Sequence, residues 1–467
     1  MQTIQEDIDA IIPYSMHVSS RYLDLTKQKL GLTRLPKEIE TLSQEEQWTL
    51  GAPKSVLEPL LDHWLETYDW RGSESAFNTT LPQFRTLIPL PPGRDGNDKK
   101  PIRTHFVHAR SPHHTAIPLL YCHSWPGSFI EVQRIIDLLT HPKEEGELTF
   151  HLVCPSIPGF GFSDASEDPD FGVHGAAEVF AGLMRRLGYE KYAVCGGGWG
   201  FDVARALAVR ESERVLGVFT WNPVFCAPTV RGKPWEWVKW HLARLTGARW
   251  ASLSFGYVPS EVDLPAVQGR GTVGGWPLGP VMHQLFSMRP QTLAFSLCDS
   301  PVGLLAVLLD LVATQGPGPL LSIRPRSPFL DPGELEMQDR EYEAAGHERL
   351  HAAILYFLSM LTSSRMWLPG AEAGLRWLRR AHIEALATSW DDYCSVPLGI
   401  SSFRTHATTT PLMWGAASWP VAWVRRHQET AEMPGWEAPR QLTDDLRECF
   451  GRLLDGRLET KSSEMMV

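Results

Sequence analysis

Several features that would assign a chain to a whole class of proteins are missing from this sequence. Its seven cysteines include no C-x-x-C pair, which disfavours a zinc site and a disulfide framework and favours a reducing compartment. Basic residues are also scarce: 44 lysines and arginines against 54 aspartates and glutamates leave a formal net charge of −10 at pH 7. That sign is wrong for a nucleic-acid binder. We therefore expect an apolar small-molecule substrate and no nucleic-acid partner.

No run of the sequence is apolar for long enough to cross a bilayer. The longest extends from Val302 to Ala313 and is interrupted by Asp310, whereas a spanning helix needs about 20 apolar residues. Residues 1–14 carry acidic side chains and no apolar leader, and the last four residues match no lipidation or retention signal. We predict a cytoplasmic protein without a membrane span, and we leave open whether it forms a homodimer.

What is present is a chain of several segments without internal repeats. Between residues 101 and 222, short apolar runs such as 150–154 and 215–221 alternate with helical patterns, which is typical of a parallel sheet. The tryptophan-rich stretch that follows is typical of an inserted cap. Near the C-terminus we predict a strand at 410–414 and a helix at 442–454. The predicted segments are an N-terminal domain at 1–100, a core in two parts at 101–222 and 376–467, and a helical cap at 223–375.

The most informative local motif is the glycine-rich segment 192–201, with the sequence YAVCGGGWGF. A strand that passes through a tight glycine turn into a helix has the frame of a nucleophile elbow, G-x-Nu-x-G. Gly198 holds the nucleophile position, and glycine has no side chain that could attack a substrate. A dinucleotide-binding loop is the weaker alternative, because G-x-G-x-x-G needs a third glycine where Phe201 stands. We expect an elbow that cannot perform covalent catalysis.

A second motif, HSWPGS at 123–128, follows the first predicted strand of the core. Alone, it is equally compatible with a simple turn at a strand exit. Combined with the elbow frame, it favours the oxyanion-binding loop of an α/β-hydrolase. In such a site the backbone amides of Trp125 and Trp199 polarise a substrate oxygen, and they can do so without a nucleophile.

Together these motifs resemble those of the microsomal-type epoxide hydrolases, fungal members included, over nearly the whole chain. The N-terminal segment 68–71 (YDWR), the cap segments 289–294 (RPQTLA) and 299–304 (DSPVGL), and the HSWPGS loop carry the resemblance. Ser124 stands where the family's loop has glycine. The resemblance implies an α/β architecture: an α/β-hydrolase fold with an N-terminal epoxide-hydrolase-like domain and an inserted helical cap.

The resemblance also locates the family's catalytic groups, and this chain departs from each of them. Gly198 replaces the nucleophilic aspartate, and Glu432 stands in the position of the general-base histidine. His406 falls near the acid that orients that histidine, while Met282 and Trp367 fall near the two cap tyrosines. The family's reaction needs a carboxylate to open the epoxide, hydroxyls to protonate its oxygen, and a base to activate water. We expect the ester cycle to be lost.

Two interpretations of the remaining polar groups stay open. His406 and Glu432 either form an acid–base dyad in exchanged positions or are ordinary loop residues. The tryptophans at 235, 237 and 240 either pack the cap or line the pocket of a large apolar ligand. No metal and no organic cofactor is expected. The predicted substrate pocket comprises Gly198, Met282, Phe286, Trp367 and His123.

A shaped apolar pocket without a nucleophile favours a reaction that needs only a bound near-attack conformer and one hydrogen-bond donor. We therefore predict a non-hydrolytic cyclase or isomerase that acts on an apolar secondary metabolite, with a Diels–Alder-type cycloaddition as one form. Two alternatives remain. One is an epoxide hydrolase with an altered mechanism, and the other is a catalytically inactive ligand-binding protein.

Overall fold

The computed structural model describes residues 10–48, 50–92, 99–142, 146–262, 285–315, 371–386, 392–404 and 410–454. Three of the predicted site residues lie outside the described residues: Met282, Trp367 and His406.

A nine-stranded sheet organises the described chain, in the order β1-β2-β3-β5-β4-β6-β7-β8-β9. The pairs from β1 to β5 along this order are antiparallel, and all pairs from β5 to β9 are parallel. At the centre, Leu120 of β4 is in register with Val153 of β5 and Val194 of β6. The strands are β1 (Ile12–Tyr14), β2 (Gln83–Ile88), β3 (Ile102–Ala109), β4 (Ile117–Cys122), β5 (Phe150–Pro155), β6 (Tyr192–Gly196), β7 (Val215–Trp221), β8 (Leu398–Arg404) and β9 (Val421–Thr430).

Helices precede, connect and cover these strands. Helices α6 and α7 contact each other, and α15 contacts β7, β8 and β9. The N-terminal helices are α1 (Ser20–Gly31), α2 (Gln44–Trp48), α3 (Lys54–Glu66) and α4 (Trp70–Thr80). Those of the core are α5 (Ile136–Thr140), α6 (Val173–Arg186), α7 (Trp199–Arg210), α14 (Pro434–Glu437) and α15 (Pro439–Leu454). The helices between them are α8 (Pro234–Leu245), α9 (Ala251–Ser254), α10 (Pro259–Val262), α11 (Pro290–Asp299), α12 (Pro301–Gln315) and α13 (Glu372–Ala385).

The burial of the central strands explains why their sequence pattern predicts them. All five residues of β6 are buried, and so are six of the seven residues of β7. Parallel strands covered on both faces are continuous apolar runs rather than alternating ones. The predicted strands at 150–154 and 215–221 and the predicted helix at 442–454 are confirmed as β5, β7 and part of α15.

The predicted strand at 410–414 is wrong. Residues Leu412–Ala417 form a 3-10 helix that begins after Pro411, and proline has no N–H with which to pair in a sheet. The sheet continues instead through β8 and β9, which contain serines, arginines and a histidine. Their mixed composition does not form the apolar run that predicts a buried strand. For β9 this composition fits its position as the last strand of the described sheet.

The motif at 68–71 has a structural role in the N-terminal domain. Arg71 donates hydrogen bonds to the carbonyl of Val18 and to Ser20 Oγ, while Glu74 accepts one from the amide of Val18 at 2.6 Å. These contacts hold the segment before α1 against α4.

Within the described residues, no single helix is both long and apolar enough to cross a membrane; α11 together with α12 passes such a test only as a pair bent by 115°.

Candidate active site

The loops that follow the parallel strands meet at one edge of the sheet. The HSWPGS loop follows β4, the elbow follows β6, Asn222 follows β7, and Glu432 follows β9. Ligands of open α/β sheets bind outside the carboxyl ends of the strands. This edge is therefore the candidate active site.

The elbow has the backbone that its sequence predicts. Gly198 precedes α7 with φ 49° and ψ −128°, a conformation in which a side chain is strained. At Gly200 an added Cβ would stand 2.0 Å from the carbonyl oxygen of Cys122, so only glycine allows α7 to approach the end of β4 this closely. Gly198 itself is exposed. The turn presents this position to open space, as an elbow does, but with no side chain on it.

Ser124 fills part of the space that a side chain at Gly198 would need. A Cβ added at Gly198 would stand 2.7 Å from Ser124 Oγ. That oxygen accepts a hydrogen bond of 3.0 Å from the amide of Trp199, and its hydroxyl faces the carbonyl of Trp125 at 3.4 Å. The Trp199 amide, predicted to face a substrate oxygen, therefore donates to Ser124. The serine in the family's glycine position was the signal in the sequence, but nothing there indicated this contact.

His123 lies behind the pocket rather than in its wall. It is 1% exposed, and Nε2 accepts a hydrogen bond of 3.0 Å from the amide of Ile157, so that Nδ1–H donates to the carbonyl of Ser124 at 3.0 Å. Burial lowers the pKa of His123 to about 4, although the bond to Ser124 opposes the shift. The ring is neutral at pH 7 and joins the loops after β4 and β5. This differs from the prediction that His123 lines the substrate pocket.

An apolar cavity lies beside Trp125, between the core loops and the inserted helices. Phe286, a predicted pocket residue, packs its ring edge-on against Trp125 at 5.5 Å. The ring of Trp199 makes a similar contact of 6.0 Å with Trp377 of α13. The cavity has room for about one water molecule, and no ionisable side chain is among its described lining residues: Trp125, Gly159, Phe160, Leu297, Leu304, Val307, Ala371, Gly374 and Leu375.

Of the cap tryptophans, Trp240 packs within the protein. It is 9% exposed and contacts Tyr257 and Trp414 at 5.2 and 5.3 Å between ring centroids. Trp235 is 63% exposed. For Trp240, cap packing is the observed role.

Glu432 lies in the loop between β9 and α14. Its backbone amide and that of Met433 both donate to the carboxylate of Glu437, at 2.7 and 2.6 Å. Burial of the Glu432 carboxyl raises its pKa well above the usual value, and the negative charge of Glu437 raises it further. A raised pKa favours the protonated form of a carboxyl group, which can donate a proton. Its predicted partner His406 lies outside the described residues, so the dyad stays a prediction.

Asn222 connects the ends of three strands, β7, β8 and β9, and no sequence motif indicated this role. Its amide group donates to the carbonyl of Ala431 at 2.8 Å, and its side-chain oxygen accepts from the amide of Phe403 at 2.8 Å. Its own backbone amide donates to the carbonyl of Ser401. With φ at 45°, it adopts a conformation that asparagine tolerates better than most residues. Asn222 thus holds Ala431, the residue next to Glu432, close to the end of β7.

A buried polar cluster joins β9 to α15. Asp445 is completely buried and accepts hydrogen bonds from His427 Nε2 and Ser401 Oγ, both at 2.6 Å. Arg425 donates to Asp445 at 2.8 Å and also pairs with Glu448. Since the buried carboxylate has several donors, its charge is compensated. We assign this cluster a structural role.

Comparison with known proteins agrees with the fold. Residues 11–132 match the model of the epoxide hydrolase N terminus, and residues 117–245 match that of the alpha/beta hydrolase fold. Epoxide hydrolase 1 of Oryctolagus cuniculus is 30% identical over 434 residues, which cover 88% of this chain and 82% of the relative. The chain belongs to the epoxide hydrolase family. Within the family, Epoxide hydrolase 1 of Sus scrofa is 28% identical, with 95% of this chain and 89% of the relative covered.

The structure of the Aspergillus niger epoxide hydrolase has the same fold. Its TM-score is 0.66 at 23% identity, and the match covers 95% of this chain and 97% of that one. The predicted family and the predicted α/β-hydrolase fold with an epoxide hydrolase N-terminal domain are therefore confirmed. Within this family frame, the residue at the elbow is glycine.

Proposed function

We propose that this protein is a cyclase or isomerase that rearranges an apolar, oxygen-bearing substrate without a covalent intermediate. The observation that carries the proposal is the elbow. Gly198 offers no nucleophile, and Ser124 Oγ stands 2.7 Å from where its Cβ would be. An ester with the enzyme cannot form at a position that has no side chain.

Glu432 supplies acid chemistry to this proposal. Its raised pKa favours the protonated form of the carboxyl group, and Asn222 anchors the neighbouring Ala431. With an epoxide substrate, Glu432 donates this proton to the oxygen as one C–O bond breaks. A hydroxyl or alkene of the same substrate forms the new bond to the carbon, and the proton it loses returns to the Glu432 carboxylate. The product is an isomer of the substrate, and the apolar side chains around the elbow select the conformer that closes.

The relatives favour a second candidate, an epoxide hydrolase with an altered mechanism. Those described above are named epoxide hydrolases. In this version the same acid opens the epoxide, but water attacks directly and the product is a diol. In the cyclase the attacking atom belongs to the substrate itself. In the hydrolase it is the oxygen of a water molecule.

One experiment separates these candidates. An aryl epoxide with a hydroxyl positioned to close a tetrahydrofuran ring is incubated with the protein in heavy-oxygen water, and both product and intact protein are analysed by mass spectrometry. A cyclic ether without heavy oxygen supports the cyclase. A diol carrying heavy oxygen supports direct water attack.

Other outcomes reject both candidates. A protein adduct with the mass of the substrate would show that a nucleophile exists despite Gly198. Binding without any product would leave the catalytically inactive ligand-binding protein. Glu432→Gln, which keeps the shape but not the acid, is the matched control for uncatalysed opening.

A further inference from the structure

Ser124 brings a hydroxyl to the open face of the elbow. The residue is half-buried, and the neighbouring Gly198 is exposed. Because Gly198 has no side chain, the Ser124 hydroxyl stands within 2.7 Å of the position that a Cβ would take there. A group bound over Gly198 therefore meets this hydroxyl.

The hydrogen bonds of Ser124 leave its proton available. One lone pair accepts from the amide of Trp199 at 3.0 Å, which fixes the position of Oγ. Its O–H faces the carbonyl of Trp125 at 3.4 Å, which is long for a hydroxyl donor. A hydroxyl rotates to suit its partner, and one that already accepts a hydrogen bond is polarised towards donation. An acceptor closer than the Trp125 carbonyl would capture the proton.

A role as nucleophile does not fit the contacts. The neighbouring ring of His123 has Nε2 engaged by Ile157, and its Nδ1 faces the carbonyl of Ser124 rather than Oγ. His123 therefore cannot take the proton from Ser124 Oγ as this loop is arranged.

We propose that Ser124 is a substrate-binding residue whose hydroxyl donates a hydrogen bond to a neutral oxygen of the substrate, a carbonyl, ether or epoxide, placed over Gly198. The remainder of the molecule packs against the apolar side chains at this edge, among them Trp125 and Phe286. The proposal shares with the proposed function only the location of the substrate, at the elbow. It also explains why Ser124 occurs together with Gly198, since a side chain at position 198 would displace the Ser124 hydroxyl.

The test compares two ligands that differ in one oxygen. Dissociation constants of acetophenone and of ethylbenzene are measured by ligand-observed NMR for the native protein, Ser124→Ala, Ser124→Thr and Ser166→Ala. Ser166 is a matched control, a half-buried serine in the loop before α6 whose Oγ also accepts one backbone hydrogen bond, at 3.2 Å. The quantity compared is the ratio of the two dissociation constants, because the cost of desolvating the ketone cancels between variants.

We expect Ser124→Ala to reduce the preference for acetophenone by about 2- to 10-fold, the size of one neutral hydrogen bond, with ethylbenzene binding unchanged. Ser124→Thr retains the preference because it retains the hydroxyl, and Ser166→Ala leaves both ligands unaffected. The proposal is overturned if Ser124→Ala keeps the native ratio, or if the native protein binds neither compound.

The outcome is independent of the reaction type. A diol product together with a lost preference in Ser124→Ala would reject the cyclase and keep the role of Ser124. A cyclic ether together with an unchanged ratio would support the cyclase and reject the role of Ser124.

Discussion

The elbow after β6 and the loop after β9 lie at the same edge of the sheet, yet they carry different groups. At the elbow there is a strained turn and no ionisable group, because Gly198 has a positive φ and no side chain. After β9 an ionisable group is present, but burial and Glu437 favour the protonated form of Glu432. In the proposed reaction, one loop supplies shape and the other supplies a proton. An acid beside an elbow without a nucleophilic side chain is the arrangement that this proposal needs.

The largest expected effect tests the loop after β9. Glu432→Gln removes the proton donor and should lower turnover of the epoxy alcohol by about 10²- to 10⁴-fold, the usual contribution of a positioned acid. Initial rates of product formation provide the measurement. Near-native turnover in this variant would show that pocket shape alone drives the reaction. It would reject the proposed role of Glu432 as proton donor.

The next effect tests the elbow. Gly198→Asp should lower the free energy of unfolding by about 2–3 kcal/mol, since a side chain at positive φ is strained and the Ser124 contact is lost. It should not create an ester intermediate. Denaturant unfolding and intact-protein mass spectrometry measure the two effects.

Ser124→Gly combined with Gly198→Asp is the matched variant, because it removes the hydroxyl that the new side chain meets. It should recover part of the stability. An aryl-epoxide adduct in either variant would contradict the view that the elbow has kept only its shape.

A smaller effect concerns the connection between the loops. Asn222→Gly tolerates the positive φ but loses both side-chain hydrogen bonds, so the unfolding free energy should fall by about 1–2 kcal/mol. Turnover should fall as well if the link positions Glu432. Hydrogen exchange of residues 431–433 is the direct measurement. Unchanged exchange there would mean that the loop is held by other contacts.

The smallest effect is a pH dependence that separates the two loops. Since the pKa of Glu432 is raised on folding, the folded state binds its proton more tightly than the unfolded state. The stabilising contribution is therefore complete below the unfolded glutamate pKa and declines as pH rises through the folded value, by at most about 1.4 kcal/mol per pH unit.

The difference in unfolding free energy between the native protein and Glu432→Gln, measured against pH, isolates this group. It should change with pH in that direction. A flat difference would place the Glu432 carboxyl in contact with water.

The sequence predicts the central parallel strands and the elbow because their signals are local. The apolar run of β6 and the glycines that follow it define a strand, a turn and a helix within ten residues of sequence. The contacts that give the site its chemistry are not local. Ser124 meets Trp199 across 75 positions and Asn222 meets Ala431 across 209, and no periodicity encodes such pairs.

The protonation behaviour of Glu432 is also beyond what the sequence alone can predict. Its identity is plain in the sequence, but the direction of its pKa shift depends on burial and on Glu437, which only the folded chain determines. The strand predicted at 410–414 failed for a related reason. Its apolar composition was local, whereas its exclusion from the sheet depends on where β8 and β9 pair.

The polar cluster around Asp445 has a consequence for local opening of the protein. Arg425 and His427 belong to β9, and both lose Asp445 as a partner if α15 detaches from the sheet. Charged side chains on an edge discourage pairing with a strand of another chain. The arginine that anchors α15 in the closed form therefore also protects β9 against association when that helix is detached.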